Sequence, residues 1–186
     1  MSPAHQNREP PLLEVRQLRL RHQRQKRLAI DNVSFSIAAG STLGLVGASG
    51  AGKSSIARAI VNLARPDSGQ VLFNGKDISR MSGPDLKKTR RRVQIVFQEP
   101  SASLSPRRTV EQSLLEPLLH FSMGDERNRR DKIRQTLQTV GLGPEALKRY
   151  PHQFSSGQQQ RIAIARALVT EPELLIADEA VAALDV

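Results

Sequence analysis

Residues 47–54 form a glycine-rich stretch, GASGAGKS, whose composition suits phosphate binding. Its spacing fits G-x-x-x-x-G-K-[ST], in which glycines let backbone N–H groups approach phosphate oxygens closely. Lys53 would reach the β- and γ-phosphates as a point charge, and Ser54 would give its hydroxyl to Mg²⁺. The stretch predicts a bound nucleoside triphosphate rather than a chance glycine-rich loop, because a strand-like and a helix-like segment flank it. The residues predicted to contact the nucleotide are Gly47, Ala48, Ser49, Gly50, Ala51, Gly52, Lys53, Ser54 and Ser55.

An acidic pair, Asp178 and Glu179, directly follows the apolar run 174–177. Asp178, at the end of a buried strand, would hold Mg²⁺ through its water shell. Glu179 would orient and deprotonate an attacking water. Alone the pair is a weak signal, since any strand can end this way, but together with the phosphate-binding stretch it predicts nucleotide hydrolysis.

Gln98 follows another apolar run, 93–97, that is typical of a strand. An amide at the end of a strand can ligate Mg²⁺ or the attacking water while its loop moves. Gln98 is therefore a candidate catalytic and metal-binding residue. The alternative, a polar residue that merely caps a strand, is equally open for Gln98 taken alone.

A second candidate anion site lies at 154–161, where Ser155 and Ser156 precede a predicted helix that begins with Gly157 and Gln158. A hydroxyl, free backbone N–H groups and a positive helix end would together favour an anion. Because the chain already has one phosphate site, this segment is best explained if it completes the site of another copy. An ordinary helix N-cap is the alternative.

The periodicity of apolar residues predicts the elements that carry these residues. Leu13, Val15, Leu18 and Leu20 indicate a half-buried strand with one slip in the alternation. A helix should follow Lys53, and two helical segments within 109–140 should be separated at Pro117 and at 122–124. The predicted strands are 13–20, 30–37, 42–46, 70–73, 93–97 and 174–177, and the other predicted helices are 84–92 and 157–169. This order describes an α/β protein with a helical subdomain between two halves of a nucleotide site.

The chain of 186 residues is strongly basic, with 28 Lys and Arg against 18 Asp and Glu and a net charge of +10. The basic residues cluster at 16–27, 87–92 and 127–134, and no aromatic residue lies inside these clusters. Solvated or lipid-facing surfaces are therefore favoured over a nucleic-acid site. The absence of cysteine excludes disulfides and thiolate metal sites. Residues 1–11 are polar and proline-rich and lack the apolar middle of a secretory signal, so they are predicted to be a flexible leader.

The ordered set of these motifs resembles the ATP-binding-cassette (ABC) ATPases over about 12–186. It comprises the phosphate loop, Gln98, the Ser155 segment, Asp178-Glu179 and the sequence ALD at 183–185. The resemblance implies a P-loop NTPase core with an N-terminal β subdomain and a helical insert of about 101–170. It also implies ATP and Mg²⁺ as ligands, with Glu179 and Gln98 as catalytic residues. In this family the Ser155-type segment closes on ATP held by a second cassette subunit.

Residues 95–107 look like the branch that serves oligopeptide, dipeptide and nickel importers. That resemblance implies peripheral attachment to integral membrane permease subunits at the cytoplasmic face of the bacterial inner membrane, and indirect work with a periplasmic solute-binding protein. Gln98 would then link hydrolysis to docking of the helical insert. The alternatives are a soluble cassette ATPase that acts on nucleic acid, and a remnant that does not hydrolyse ATP.

The chain departs from the family pattern at several positions. Ser156 replaces the first glycine of S-G-G-Q, Ala180 replaces a frequent proline, and His22 stands where an aromatic residue would stack on adenine. The family also continues past the position of Val186 through further core strands, one of which ends in a histidine that contacts the γ-phosphate. We therefore expect 12–186 to be an incomplete domain, with a gap beside the phosphate-loop strand and reduced hydrolysis.

Overall fold

The computed structural model describes residues 10–21, 28–100 and 103–179. They divide into two compact units, with the boundary between Ser82 and Gly83. The basic loop at 22–27, the leader up to residue 9, His22, Ala180 and the segment 183–185 lie outside the described residues.

The first unit contains a four-stranded antiparallel sheet in the order β2-β1-β3-β4. Its strands are β1 (Leu13–Arg21), β2 (Leu28–Ile37), β3 (Ser68–Phe73) and β4 (Lys76–Asp77). A tight turn at 74–75, whose two residues both have positive φ, joins β3 to β4. This turn is the one that Asn followed by Gly predicts.

Strand β1 contains the predicted slip in alternation. Leu13 and Val15 are buried, and so are Leu18 and Leu20. In a regular strand, whose side chains alternate between two faces, the second pair would point to the opposite face from the first. Gln17 adopts φ +46°, and the pairing register shifts between Val15 and Leu18. A bulge of one extra residue therefore returns the apolar side chains to the same face.

The predicted strand at 42–46 is wrong. These residues form no ladder with any described residue, and Leu43, Leu45 and Val46 are 45%, 41% and 97% exposed. A strand exists only when a neighbouring strand bonds its N–H and C=O groups. The apolar run at 42–46 indicates that these side chains favour burial, but it does not show that a neighbouring strand is available to pair with them.

The second unit combines helices with a two-stranded parallel sheet. Its elements are α2 (Gly83–Arg92), β5 (Val93–Val96), α3 (Val110–His120), α4 (Glu126–Thr139), α5 (Ser156–Leu168) and β6 (Leu174–Ala177). Val93 pairs with Leu174 and Val96 with Ala177, so both strands end at the same edge. The first unit has one helix, α1 (Lys53–Ile60), among its described residues.

Helices α3, α4 and α5 share one apolar core. Leu114, Leu118, Ile133, Leu137 and Ile162 are all at most 2% exposed in that core. The N-termini of α3 and α4 are capped by Thr109 and Asp125, and Gly141 follows α4 with φ +71°. These are the start and stop signals expected of helices.

Two further expectations for the second unit are wrong. Pro117 does not break the helical pattern, because it lies buried inside α3, whose end at His120 is only three residues away. The lost hydrogen bond is offset by the apolar face that α3 buries. Strand β6 is not fully buried either, since Leu174 is covered but Leu175 is 40% exposed. Within the residues that the structure describes, no helix has the length and apolar character needed to span a bilayer.

Candidate functional site

The phosphate loop of the first unit curls around its own lysine. The Lys53 Nζ donates to the carbonyl oxygens of Gly47 at 2.8 Å and Ala48 at 3.0 Å. The loop is closed further by the bond from the Ala51 N–H to the Ala48 carbonyl, at 3.1 Å. An ammonium group has three donors, so these two bonds fix the side chain on the loop and leave its charge at the start of α1.

Gly52 sets the exit angle of the loop. Its φ is +92°, and a Cβ built there would overlap the carbonyl oxygen of Ala29 in β2. Only glycine combines that backbone angle with so close an approach. The requirement for glycine that the sequence pattern implies therefore has a visible cause at this position.

The N-terminus of α1 has neither a side-chain cap nor an acidic residue in its first turn. Ser54 and Ser55 lie in that turn and are half-buried. A helix start without a side-chain cap, with a lysine and a hydroxyl in its first turn, can bind an anion by charge and by direct hydrogen bonds.

In the second unit, Gln98 and the acidic pair lie at one edge of the parallel sheet. The N–H of Asp178 donates to the carbonyl of Val96 at 2.9 Å, which extends the pairing one residue past the strands. Gln98 follows β5 by two residues and is exposed, Asp178 is half-buried, and Glu179 is exposed. The structure thus places the three predicted residues at the same edge of this sheet, and their side chains carry amide and carboxylate oxygens of the kind that Mg²⁺ takes.

Glu179 has a backbone angle that is uncommon for its residue type. Its φ is +51°, in the left-handed region. For a residue with a Cβ this conformation costs about 1–2 kcal/mol. Backbone strain of this kind is frequent at functional residues, where the surrounding fold holds the side chain in place.

No group of three or more His, Cys, Asp or Glu that could hold a metal ion occurs among residues 10–21, 28–100 and 103–179. Within the second unit, a cation would therefore depend on the amide oxygen of Gln98 as well as on the carboxylates of Asp178 and Glu179. That donor set suits Mg²⁺, which usually keeps several waters and binds through one or two carboxylates and the phosphates of its substrate.

Ser155 forms the N-cap of α5. Its Oγ accepts from the N–H of Gln158 at 3.3 Å, and the Gln158 Oε1 accepts from the N–H of Ser155 at 3.1 Å. This reciprocal capping box matches the alternative prediction of an ordinary N-cap. Ser156 has no positive φ, so the helix backbone itself does not require the glycine of the family pattern.

Several residues that sequence patterns did not identify support the segment before α5. The guanidinium of Arg149 lies 4.3 Å from the centre of the Phe154 ring and donates to the carbonyl of Gln153. Tyr150 and His152 stack with ring centres 5.8 Å apart. Such contacts depend on how the chain folds back on itself, and no motif spacing would have indicated them.

A family model described as "ABC transporter" matches residues 30–182. A putative peptide import ATP-binding protein of Brucella ovis is 48% identical over 96% of this chain and 57% of its own length. The oligopeptide transport ATP-binding protein AppF of Bacillus subtilis is 52% identical over 85% of this chain and 48% of its own. The chain thus spans about half the length of the curated relatives it matches.

The same fold occurs in a solved structure with products of hydrolysis bound. It is the dimeric post-hydrolysis state of the ATP-binding cassette MJ0796, bound to ADP and Pi. Its TM-score is 0.83 at 30% identity, and the match covers 93% of this chain and 76% of that one.

Proposed function

The chain belongs to the ABC transporter family, and we propose that it is the ATP-binding and ATP-hydrolysing part of a bacterial importer of peptides. The observation that carries the proposal is the phosphate loop, in which Lys53 and the uncapped start of α1 converge. The printed names of the relatives, peptide import and oligopeptide transport, support the class of solute.

The nucleotide would be held mainly by its phosphates. The backbone of 47–52 would donate N–H groups, and Lys53 would turn from its loop carbonyls toward the β- and γ-phosphates. Ser54, Gln98 and Asp178 would each offer an oxygen donor to Mg²⁺, which would neutralise phosphate charge when bound.

Hydrolysis would be carried out by Glu179 and Gln98. Glu179 would accept a proton from water at its carboxylate, and Gln98 would orient that water through its amide. The left-handed backbone at Glu179 and the shared edge of β5 and β6 support these roles, because both restrict where the side chains can point.

The proposal includes assembly. The segment with Ser155, Gly157 and Gln158 would complete the nucleotide site of a second cassette, and the capping box would preform its backbone. The dimeric state of the MJ0796 cassette supports this arrangement. Permease subunits at the cytoplasmic face of the inner membrane would be the further partners, fed by a periplasmic solute-binding protein.

The hydrolytic role is tested by Glu179→Gln, which removes the proton acceptor and keeps the shape. We expect phosphate release from MgATP to fall at least about a hundredfold, the usual contribution of a general base, while ATP binding is retained. Glu171→Gln, an exposed carboxylate that likewise has positive φ, is the matched control. Equal rates for parent and Glu179→Gln would overturn the assignment.

A further inference from the structure

Gln160 is a polar residue inside the second unit that no predicted role uses. It lies on α5 and is 0% exposed. Its Nε2 donates to the carbonyl of Phe97 at 3.5 Å, a long bond, and its Oε1 has no partner within the described residues. A buried amide that is only half-bonded loses its hydration without full compensation. Such a group in a native protein requires an explanation.

The position of Gln160 on α5 places it at the exit of β5. Ala163 and Ala167, three and seven residues further on, share its helix face and pack on Val96, the last residue of β5. Gln160 lies one turn before Ala163 on α5, and so it contacts Phe97, the first residue after β5. Gln98 is the next residue along the chain.

The same helix carries the proposed partner-site segment. Ser155 caps α5 and lies five residues before Gln160, about 8 Å along the helix axis. One buried amide therefore lies between the loop of Gln98 and the start of α5. An apolar residue would fill the space without an unpaired acceptor, so packing alone does not explain a glutamine there.

We infer that Gln160 is a positioning residue that ties the loop 97–99 to α5, so that Gln98 and Ser155 change position together. The Nε2 bond to Phe97 holds the loop loosely, and the unpaired Oε1 offers a second attachment for an N–H of the loop. The inference rests on the proposed function in one respect, since it takes Gln98 and Ser155 to be the residues that contact nucleotide.

The absence of cysteine makes a direct test practical. Glu99→Cys provides a single attachment point for a nitroxide spin label on the exposed loop. In this background Gln160→Met keeps the length of the side chain and removes both of its bonding groups. We expect the ratio of immobilised to mobile label to fall about twofold to fivefold, because a hydrogen bond at the weak end of the usual range is lost.

The thermal unfolding midpoint distinguishes a positioning role of Gln160 from a merely structural one, since loss of a structural contact would lower the midpoint. It should stay unchanged or rise in Gln160→Met, because a buried unpaired acceptor is removed. Gln138→Met, which makes the same substitution at an exposed position of α4, should alter neither readout. Gln160→Asn, whose side chain is one methylene shorter, should also mobilise the label. If Gln160→Met does not fold, the spectrum of Gln160→Asn tests whether Gln160 holds the loop.

An unchanged spectrum in a folded Gln160 variant overturns the inference. Binding of ATP to the labelled parent is measured in parallel. Loss of that binding would contradict the proposed function while leaving the spin-label comparison valid, so the two failures are distinguishable.

Discussion

At the scale of single residues, the chemistry depends on side chains whose partners decide what they can do. Lys53 is fixed by two carbonyls of its own loop, and Glu179 by a strained backbone. Glu116 shows the same principle outside the candidate site. Its carboxylate oxygens lie 2.7 Å from a guanidinium nitrogen of Arg108 and 3.2 Å from one of Arg166. The ion pair with Arg166 links α3 to α5.

Glu116 provides a prediction about pH. Burial raises the pKa of this carboxyl, but hydrogen bonds from Arg108 and Arg166 outweigh that effect and hold the pKa below its ordinary value of 4.5. A carboxyl with a lowered folded pKa stabilises the protein above its unfolded pKa, and that contribution is lost as pH falls through the folded value. Because the side chain is 44% exposed, screening limits the contribution to about 0.2–1 kcal/mol.

The measurement is urea unfolding of Glu116→Gln and parent at pH 7 and again well below pH 4.5. We expect the variant to be less stable at pH 7 and the difference to shrink in acid. Glu126→Gln, whose partner Arg130 lies on the same helix, should show the smaller effect. A difference that persists or grows in acid would contradict the assignment.

At the scale of elements, the phosphate loop depends on where β2 and α1 meet. In Gly52→Ala the new Cβ would overlap the Ala29 carbonyl oxygen at a position that also has a positive φ. In Gly40→Ala the φ is positive too, but the new Cβ would meet no neighbouring atom. We expect Gly40→Ala to cost about 1–2 kcal/mol for the backbone alone. Gly52→Ala should cost a further 1–3 kcal/mol, roughly the range for overpacking. Chemical denaturation measures both, and equal losses would show that the Ala29 contact does not constrain the loop.

How much of the fold the sequence predicted also differs by element. Leu13, Val15, Leu18 and Leu20 predicted both β1 and its bulge, because alternation is a local property. The predictions at Pro117 and at 42–46 were wrong, because both depend on contacts with distant parts of the chain. Helix α3 continues through Pro117 because its apolar face is buried. The run 42–46 forms no strand because it pairs with no strand among the described residues.

The candidate site was predictable where its motif is continuous in sequence. The loop 47–54 could be proposed from its spacing, and the pair Asp178-Glu179 from its place after an apolar run in combination with that loop. Gln160 could not, since a glutamine in a helix normally points to solvent, and only the packing of α5 on β5 shows that it is buried. The contact between Arg149 and Phe154 was missed for the same reason.

At the scale of the whole molecule, we expect nucleotide to drive association of two copies. Glu179→Gln with MgATP should elute with about twice the monomer mass in light scattering, because bound ATP is not consumed and would bridge two copies. Adding Ser155→Arg, which places a large cation at the proposed partner contact, should restore the monomer. Ser105→Arg, an exposed serine of the same unit, is the control and should leave the dimer intact. A dimer that survives Ser155→Arg would contradict the proposed role of this segment.

Binding of the ATP phosphates by residues 47–54 underlies the proposed function, and a fluorescent-ATP titration measures that binding. The comparison needs the parent chain, Lys53→Ala, and Lys76→Ala as an exposed lysine of the same unit. Loss of a charge-assisted hydrogen bond should weaken binding by about 10–100-fold in Lys53→Ala. Lys76→Ala should match the parent. Equal affinity in all three proteins would contradict the phosphate-loop assignment and the function built on it.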